Sequence, residues 1–218
     1  MRKEIYICGF GGFSREVYWY AKELQNNLEV KVMGFVDKFP EGLTCKLRNY
    51  YDGIPIFNEN VFDYNEKSVV IATGYPELRR KIYNNIINKF SNVDFPNIIS
   101  PRANIMAKQT LTLGKGIIIT AGCSITCDIT LDDFVNLNMQ TSVGHDTIMK
   151  KFATTATNVS ISGHVTLGEN VYLGNNSCVR EKCVICDDVI IGMGCTVVKN
   201  IEESGTYVGS GSTFRKIR

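Results

Sequence analysis

The chain has only two histidines among its 218 residues, His145 and His164, and His145 is followed directly by Asp146. An imidazole titrates near neutral pH, so it can take a proton from an attacking amine or hydroxyl. A carboxylate beside it can orient the ring and stabilise its charged form. Taken alone, a single histidine is more often a solvated or hydrogen-bonded side chain, and an Asp after it in a turn is more often a solvated turn residue. A second chemical signal lies near the N-terminus. Gly9-Phe10-Gly11-Gly12-Phe13 follows the apolar run Ile5 to Cys8 and precedes Ser14 and a helical stretch. A glycine turn that opens a helix offers backbone N–H groups and a positive dipole end to a phosphate. The pattern falls short of a full G-x-G-x-x-G, and the same glycines are equally consistent with a plain tight turn.

The elements that must carry the histidines are set by a period of six. Counting from Leu113, every sixth residue to Val197 is aliphatic or Met, with Thr155 the one departure. The residue four places later in each hexad, from Ile117 to Ile201, is small or β-branched. Two inward positions per hexad fit a narrow triangular prism. Three hexads make one coil, and residues 18 apart stack at the strand spacing of roughly 4.8 Å. The run gives about five unbroken coils. Dense β-branching at period six excludes an amphipathic helix. Both histidines lie off the inward positions. Gly163, 18 residues after His145, belongs directly above it.

The first hundred residues read differently. A strand over Ile5 to Cys8 leads through the glycines to Ser14, which can cap a helix from about Arg15 to Leu24. A second strand, about Val30 to Val36, ends at Asp37, and a third, Ser68 to Ala72, ends at Thr73-Gly74. A helix over about Glu77 to Lys89 puts Leu78, Ile82, Ile86 and Phe90 on one face. Strand–helix alternation predicts a small parallel α/β unit. Asn92 to Pro101 reads as the linker into the repeat.

Bulk composition bounds the partners. Lys plus Arg number 24 against 22 for Asp plus Glu, a balance that gives no reason to expect nucleic acid or an acidic membrane surface. No apolar run approaches the roughly 18 residues of a membrane span. The eight cysteines show no paired zinc spacing, and with no export signal the expected state is reduced cytosolic thiols.

In combination these motifs resemble the bacterial PglD/NeuD-type sugar acetyltransferases. The resemblance rests on Gly9-Phe10-Gly11-Gly12-Phe13-Ser14-Arg15-Glu16-Val17, Gly34-Phe35-Val36-Asp37 and Val70-Ile71-Ala72-Thr73-Gly74. In the repeat it rests on Val143-Gly144-His145-Asp146, Ser162-Gly163-His164-Val165-Thr166-Leu167-Gly168 and Ile191-Gly192-Met193-Gly194-Cys195. It implies a small Rossmann-like α/β domain that binds a nucleotide sugar, residues 1–96. A left-handed parallel β-helix acyltransferase domain follows, residues 97–218. It implies acetyl-CoA as co-substrate, a cytoplasmic homotrimer, and no metal, membrane or nucleic acid. The expected activity is N-acetylation of a nucleotide-linked amino sugar; sugar O-acetylation of the sialic acid type and a non-catalytic scaffold are the alternatives.

By the same resemblance His145 is the general base, Asp146 its acidic partner, and the Gly163 N–H the donor to the thioester oxygen. Gly163, Asn175 and Gly192-Met193-Gly194 line the cofactor path, with Thr154 where the family has a second, cofactor-holding histidine. Gly11, Gly12, Phe13, Asp37, Lys38 and Gly74 hold the nucleotide sugar, and His164 is a candidate sugar contact. Met193 stands where small residues are usual, and Val208-Gly209-Ser210-Gly211 replaces the usual Gly-x-Pro-Ala. A γ-type carbonic anhydrase needs three histidines around its metal, which two do not supply. The N-terminal segment is too short for a full dinucleotide-binding oxidoreductase.

Overall fold

The computed structural model describes residues 3–26, 29–38, 50–209 and 213–218; Cys45, Ser210 and Gly211 lie outside them. The N-terminal sheet is built from β1 (Lys3–Cys8), β2 (Val30–Asp37), β3 (Tyr50–Tyr51), β4 (Ile54–Asn58) and β5 (Ser68–Ile71), in the order β3-β4-β2-β1-β5. All pairs are parallel except β3 with β4. Buried on both faces, β1 turns Ile5 and Ile7 toward helix α1 (Gly12–Asn26) and Cys8 toward the cluster holding Ile86 of helix α2 (Pro76–Ile87). Such two-sided burial is what an apolar parallel strand requires. The predicted strands and helices are present, with β3 and β4 in addition. One local expectation is corrected. Ser14 does not cap α1 but lies inside it, and its hydroxyl donates to the Ala72 carbonyl at 2.7 Å.

From Ile98 the chain winds into a β-solenoid, in keeping with the expected fold. Its three parallel faces belong to sheets of six, five and eight strands. Partners are 18 residues apart, as in Ser142 with Ser160 and Val143 with Ile161. Both inward series are buried from Ile117 to Ile201. The winding begins one coil earlier than the period shows. Ile98–Ile99 pairs with Ile118–Ile119, and Asn104–Ile105 pairs with Ser124–Ile125. The stretch read as a linker is therefore partly the first strand. A 3₁₀ turn at Lys108–Thr110 breaks the hexad count between Ile105 and Leu113 and hides this coil from a periodicity search.

One corner residue per hexad, at 128, 134, 140 and so on to 188, has a φ of 55–63°. Left-handed backbone disfavours most side chains by about 1–2 kcal/mol, and Asn and Asp tolerate it best. Asp128, Asp146, Asn158, Asn170, Asn176 and Asp188 fit that rule, whereas Phe134 and Phe152 do not. Their rings stack at 5.2 Å and pack into the N-terminal core beside Tyr83 and Phe95, which offsets their backbone cost.

Candidate active site

Two stacked chain corners meet at the histidines. His145 Nδ1 lies 2.7 Å from Asp146 Oδ2, and His164 Nε2 lies 3.5 Å from the same oxygen. The two rings are perpendicular, with centroids 5.0 Å apart. Asp146 and His164 are both left-handed corner residues, φ 57°, which turns the carboxylate back toward the preceding histidine. All three side chains are about half exposed. The His145 hydrogen bond holds the Asp146 carboxyl below the ordinary carboxylate range. Partial desolvation opposes that shift, and the imidazole charges of His164 and His145 reinforce it.

With the imidazole where it stands, a side chain at position 163 would displace it. A Cβ on Gly163 would stand 2.7 Å from both Cε1 and Nε2 of His145. The Gly163 N–H makes no hydrogen bond among the described residues. A Cβ on Gly144 would come within 2.6 Å of that nitrogen, so Gly144 also keeps it open. The register that stacks His145 with Gly163 places Gly144 against Ser162, next to that nitrogen, so the 18-residue offset makes its role legible in the sequence. The corner can therefore offer a free imidazole Nε2 beside a free backbone donor, the pairing that acyl transfer uses.

The predicted nucleotide residues converge on a cavity of about 430 Å³ in the N-terminal domain, lined by Gly11, Gly12, Phe13, Asp37, Lys38 and Gly74. Gly11, Gly12 and Gly74 have open space where a Cβ would stand. Gly9 is different: its φ is 102° and a Cβ would meet Ser14 Oγ, so it serves the turn itself. Burial pushes the Asp37 carboxyl up, against hydrogen bonds from the Lys38 and Phe10 N–H groups and the Lys38 charge. Sequence reasoning missed Glu59, Thr73, Lys81 and Asn85 on the cavity wall. The α2 residues among them were within reach, since Leu78, Lys81, Ile82 and Asn85 share a helical face.

The cofactor set divides. Asn175 and Gly192-Met193-Gly194 sit at a different edge of the prism from His145, so one chain does not bring them to the base. Met193 is 77% exposed, and with Gly192 it borders a larger crevice of about 970 Å³ between α2 and the solenoid. Thr154 departs from its expected role: it is 2% exposed and faces the N-terminal domain, so it offers nothing to a ligand in solvent. Its hydroxyl donates to the Phe152 carbonyl and is a partner of Arg79. Arg79, fully buried, also donates to the carbonyls of Thr73 at 2.6 Å, Phe152 at 3.0 Å and Phe134 at 3.1 Å. Burial lowers its guanidinium to about 9, which still leaves it charged at neutral pH. This one side chain ties the Thr73 loop of the nucleotide cavity to two solenoid corners.

Residues 4–86 match the PglD N-terminal domain, and residues 164–199 match the bacterial transferase hexapeptide repeats. A UDP-3-O-acylglucosamine N-acyltransferase of Bordetella pertussis is 34% identical over 82 residues, covering 38% of this chain and 23% of the relative. The chain spans less than half the length of such curated relatives. The acetyltransferase domain of PglB from Neisseria gonorrhoeae, solved with acetyl coenzyme A, has the same fold along 100% of both chains at 22% identity and a TM-score of 0.83. PerB from Caulobacter crescentus, solved with CoA and GDP-perosamine, does so over 94% of both chains at 23% identity and a TM-score of 0.79. The chain thus joins a region that matches the PglD N-terminal domain to one that matches bacterial transferase hexapeptide repeats, in the fold that these two structures share.

Proposed function

We propose that this protein is an acetyl-CoA-dependent N-acetyltransferase acting on the amino group of a nucleotide-linked amino sugar. The observation that carries the reading is the His145 corner: Nδ1 is held by Asp146 while the Nε2 side of the ring faces a glycine with an unused N–H. In this reading the acceptor amine attacks the thioester carbonyl and gives its proton to Nε2. The Gly163 N–H takes the developing oxyanion. The C–S bond then breaks, and the imidazolium returns the proton to the CoA thiolate. Residues 1–96 hold the nucleotide sugar, its phosphates at the Gly11-Gly12 turn, with Lys38 and Lys81 as cations on the cavity wall.

The separation of His145 from the Asn175 and Gly192–Gly194 edge supports a site shared between subunits, and hence a homotrimer. His164, turned toward Asp146, supports the carboxylate more directly than it reaches for sugar. The neighbours solved with CoA and with GDP-perosamine agree with both substrate classes. The test mixes acetyl-CoA with UDP-, dTDP- and GDP-amino sugars and follows free CoA. Release with no amino sugar, including none in the trimer, would leave the scaffold reading standing, and release with a sugar hydroxyl would favour O-acetylation.

A further inference from the structure

The trio at the solenoid corner is also a set of metal ligands. One ligand atom from each of His145, Asp146 and His164 lies within 4.8 Å of the other two, and all three residues are exposed; Asp146 Oδ2 stands 2.7 Å from His145 Nδ1 and 3.5 Å from His164 Nε2. Zinc holds imidazole nitrogen and carboxylate oxygen at about 2.0–2.2 Å in tetrahedral sites, which separates neighbouring ligand atoms by roughly 3.3–3.5 Å. Two separations here, 2.7 and 3.5 Å, bracket that range. Two imidazoles and one carboxylate suit zinc and similar borderline ions better than magnesium or calcium.

We propose that His145, Asp146 and His164 form a reversible binding site for a borderline divalent cation such as Zn²⁺, and that the bound ion switches the enzyme off. The binding step stands on geometry alone; the inhibition rests on His145 being the base. The two uses of His145 exclude each other. When Nδ1–H donates to Asp146, Nε2 is free to accept a proton. When Nδ1 gives its lone pair to the ion, the ring's single proton moves to Nε2, and no basic nitrogen remains. His164 binds through Nε2 and keeps its proton on Nδ1, so neutral rings bind the ion without net proton release. Water fills the fourth position.

The test uses the full-length oligomer. Co²⁺ titration followed by visible absorption is expected to give a tetrahedral spectrum at one ion per chain, without the thiolate charge-transfer band that a cysteine ligand such as nearby Cys127 would add. His164→Asn keeps a residue suited to the left-handed corner. It is expected to weaken Co²⁺ and Zn²⁺ binding at least about tenfold, as loss of one of three protein ligands should. With the parent, Zn²⁺ is expected to abolish CoA release and EDTA to restore it, while Mg²⁺ does neither. The inhibitory Zn²⁺ concentration should rise with the His164→Asn dissociation constant. A thiolate band, or unchanged binding in His164→Asn and Asp146→Asn, would overturn the site. Binding at the trio with undiminished turnover would instead refute His145 as the base and keep the site.

Discussion

His145, Asp146, Gly163 and His164 are placed by a repeat, each one a corner residue whose neighbours recur at 18-residue offsets. In the N-terminal domain, Gly11, Asp37, Gly74 and Lys81 come from separate elements and meet only because the sheet and α2 are docked. The first arrangement is local: each coil rests on the next, and an exposed corner side chain can change without moving the prism. The second is cooperative, and part of its core is borrowed from solenoid residues Ile98, Ile118, Phe134 and Phe152. Chemistry is therefore expected to fail at the solenoid corner without loss of structure. Binding at the N-terminal cavity is expected to be sensitive to docking.

The sharpest break is His145→Ala. The side chain is exposed and outside both inward series, so circular dichroism and thermal unfolding should match the parent. The kcat should fall by about 10²–10⁴, the usual span for a lost general base, and the KM for acetyl-CoA should hardly move. A folded variant with parental turnover would place the base elsewhere.

Next in size is Arg79→Met, which acts on the other side of the comparison. It removes the donor to the carbonyls of Thr73, Phe134 and Phe152 and the partner of Thr154. Stranding buried acceptors costs about 1–3 kcal/mol apiece where water cannot reach them. The N-terminal domain should become sensitive to limited proteolysis while residues 97–218 stay protected. Equal resistance of both halves, with parental thermal stability, would show that the apolar contacts alone hold the dock.

The two regions also differ in how far they can be read in advance. Buried positions from Ile117 to Ile201 follow from hexad arithmetic, because the same two inward slots recur in every coil. The coil starting at Ile98 escapes it because two extra residues near Lys108–Thr110 shift the count. The His145–Gly163 stacking follows from the 18-residue offset, but the approach of His164 to Asp146 depends on two left-handed φ values that no residue type dictates. In the N-terminal domain the glycine turn and Asp37 are visible as motifs. Arg79 is not, since an arginine on a helix reads as a solvated face until Phe134 and Phe152 are brought over it. The inward turn of Thr154 is hidden for the same reason.

Gly11→Val narrows the comparison to the cavity itself. Nothing stands within 4 Å of a Cβ there and its φ is not left-handed, so the turn should persist while the side chain takes up ligand space. The KM for the nucleotide sugar should rise by about tenfold, equivalent to roughly 1.4 kcal/mol, with the acetyl-CoA KM unchanged. Equal rises in both constants would mean that the loop supports the whole site and not the nucleotide alone.

The smallest effect expected is at Asp37, and its sign is opposite to the others. Burial raises this carboxyl above its unfolded value, so at neutral pH the folded protein holds a charge that the unfolded chain would hold more easily. That cost is complete above the raised folded value. It fades as pH falls through that value and is gone below the ordinary carboxylate range. Asp37→Asn keeps the shape and removes the charge, so thermal stability should rise slightly at neutral pH and match the parent only below the ordinary carboxylate range. The same change should raise the nucleotide-sugar KM, because a carboxylate that accepts from two backbone N–H groups at the cavity wall has lone pairs left for ligand hydroxyls or ring N–H groups. A variant more stable at neutral pH with an unchanged KM would make Asp37 a structural end to β2 and move nucleotide recognition to Glu59, Lys81 or Asn85. A variant less stable at neutral pH would mean that the Lys38 and Phe10 hydrogen bonds outweigh burial.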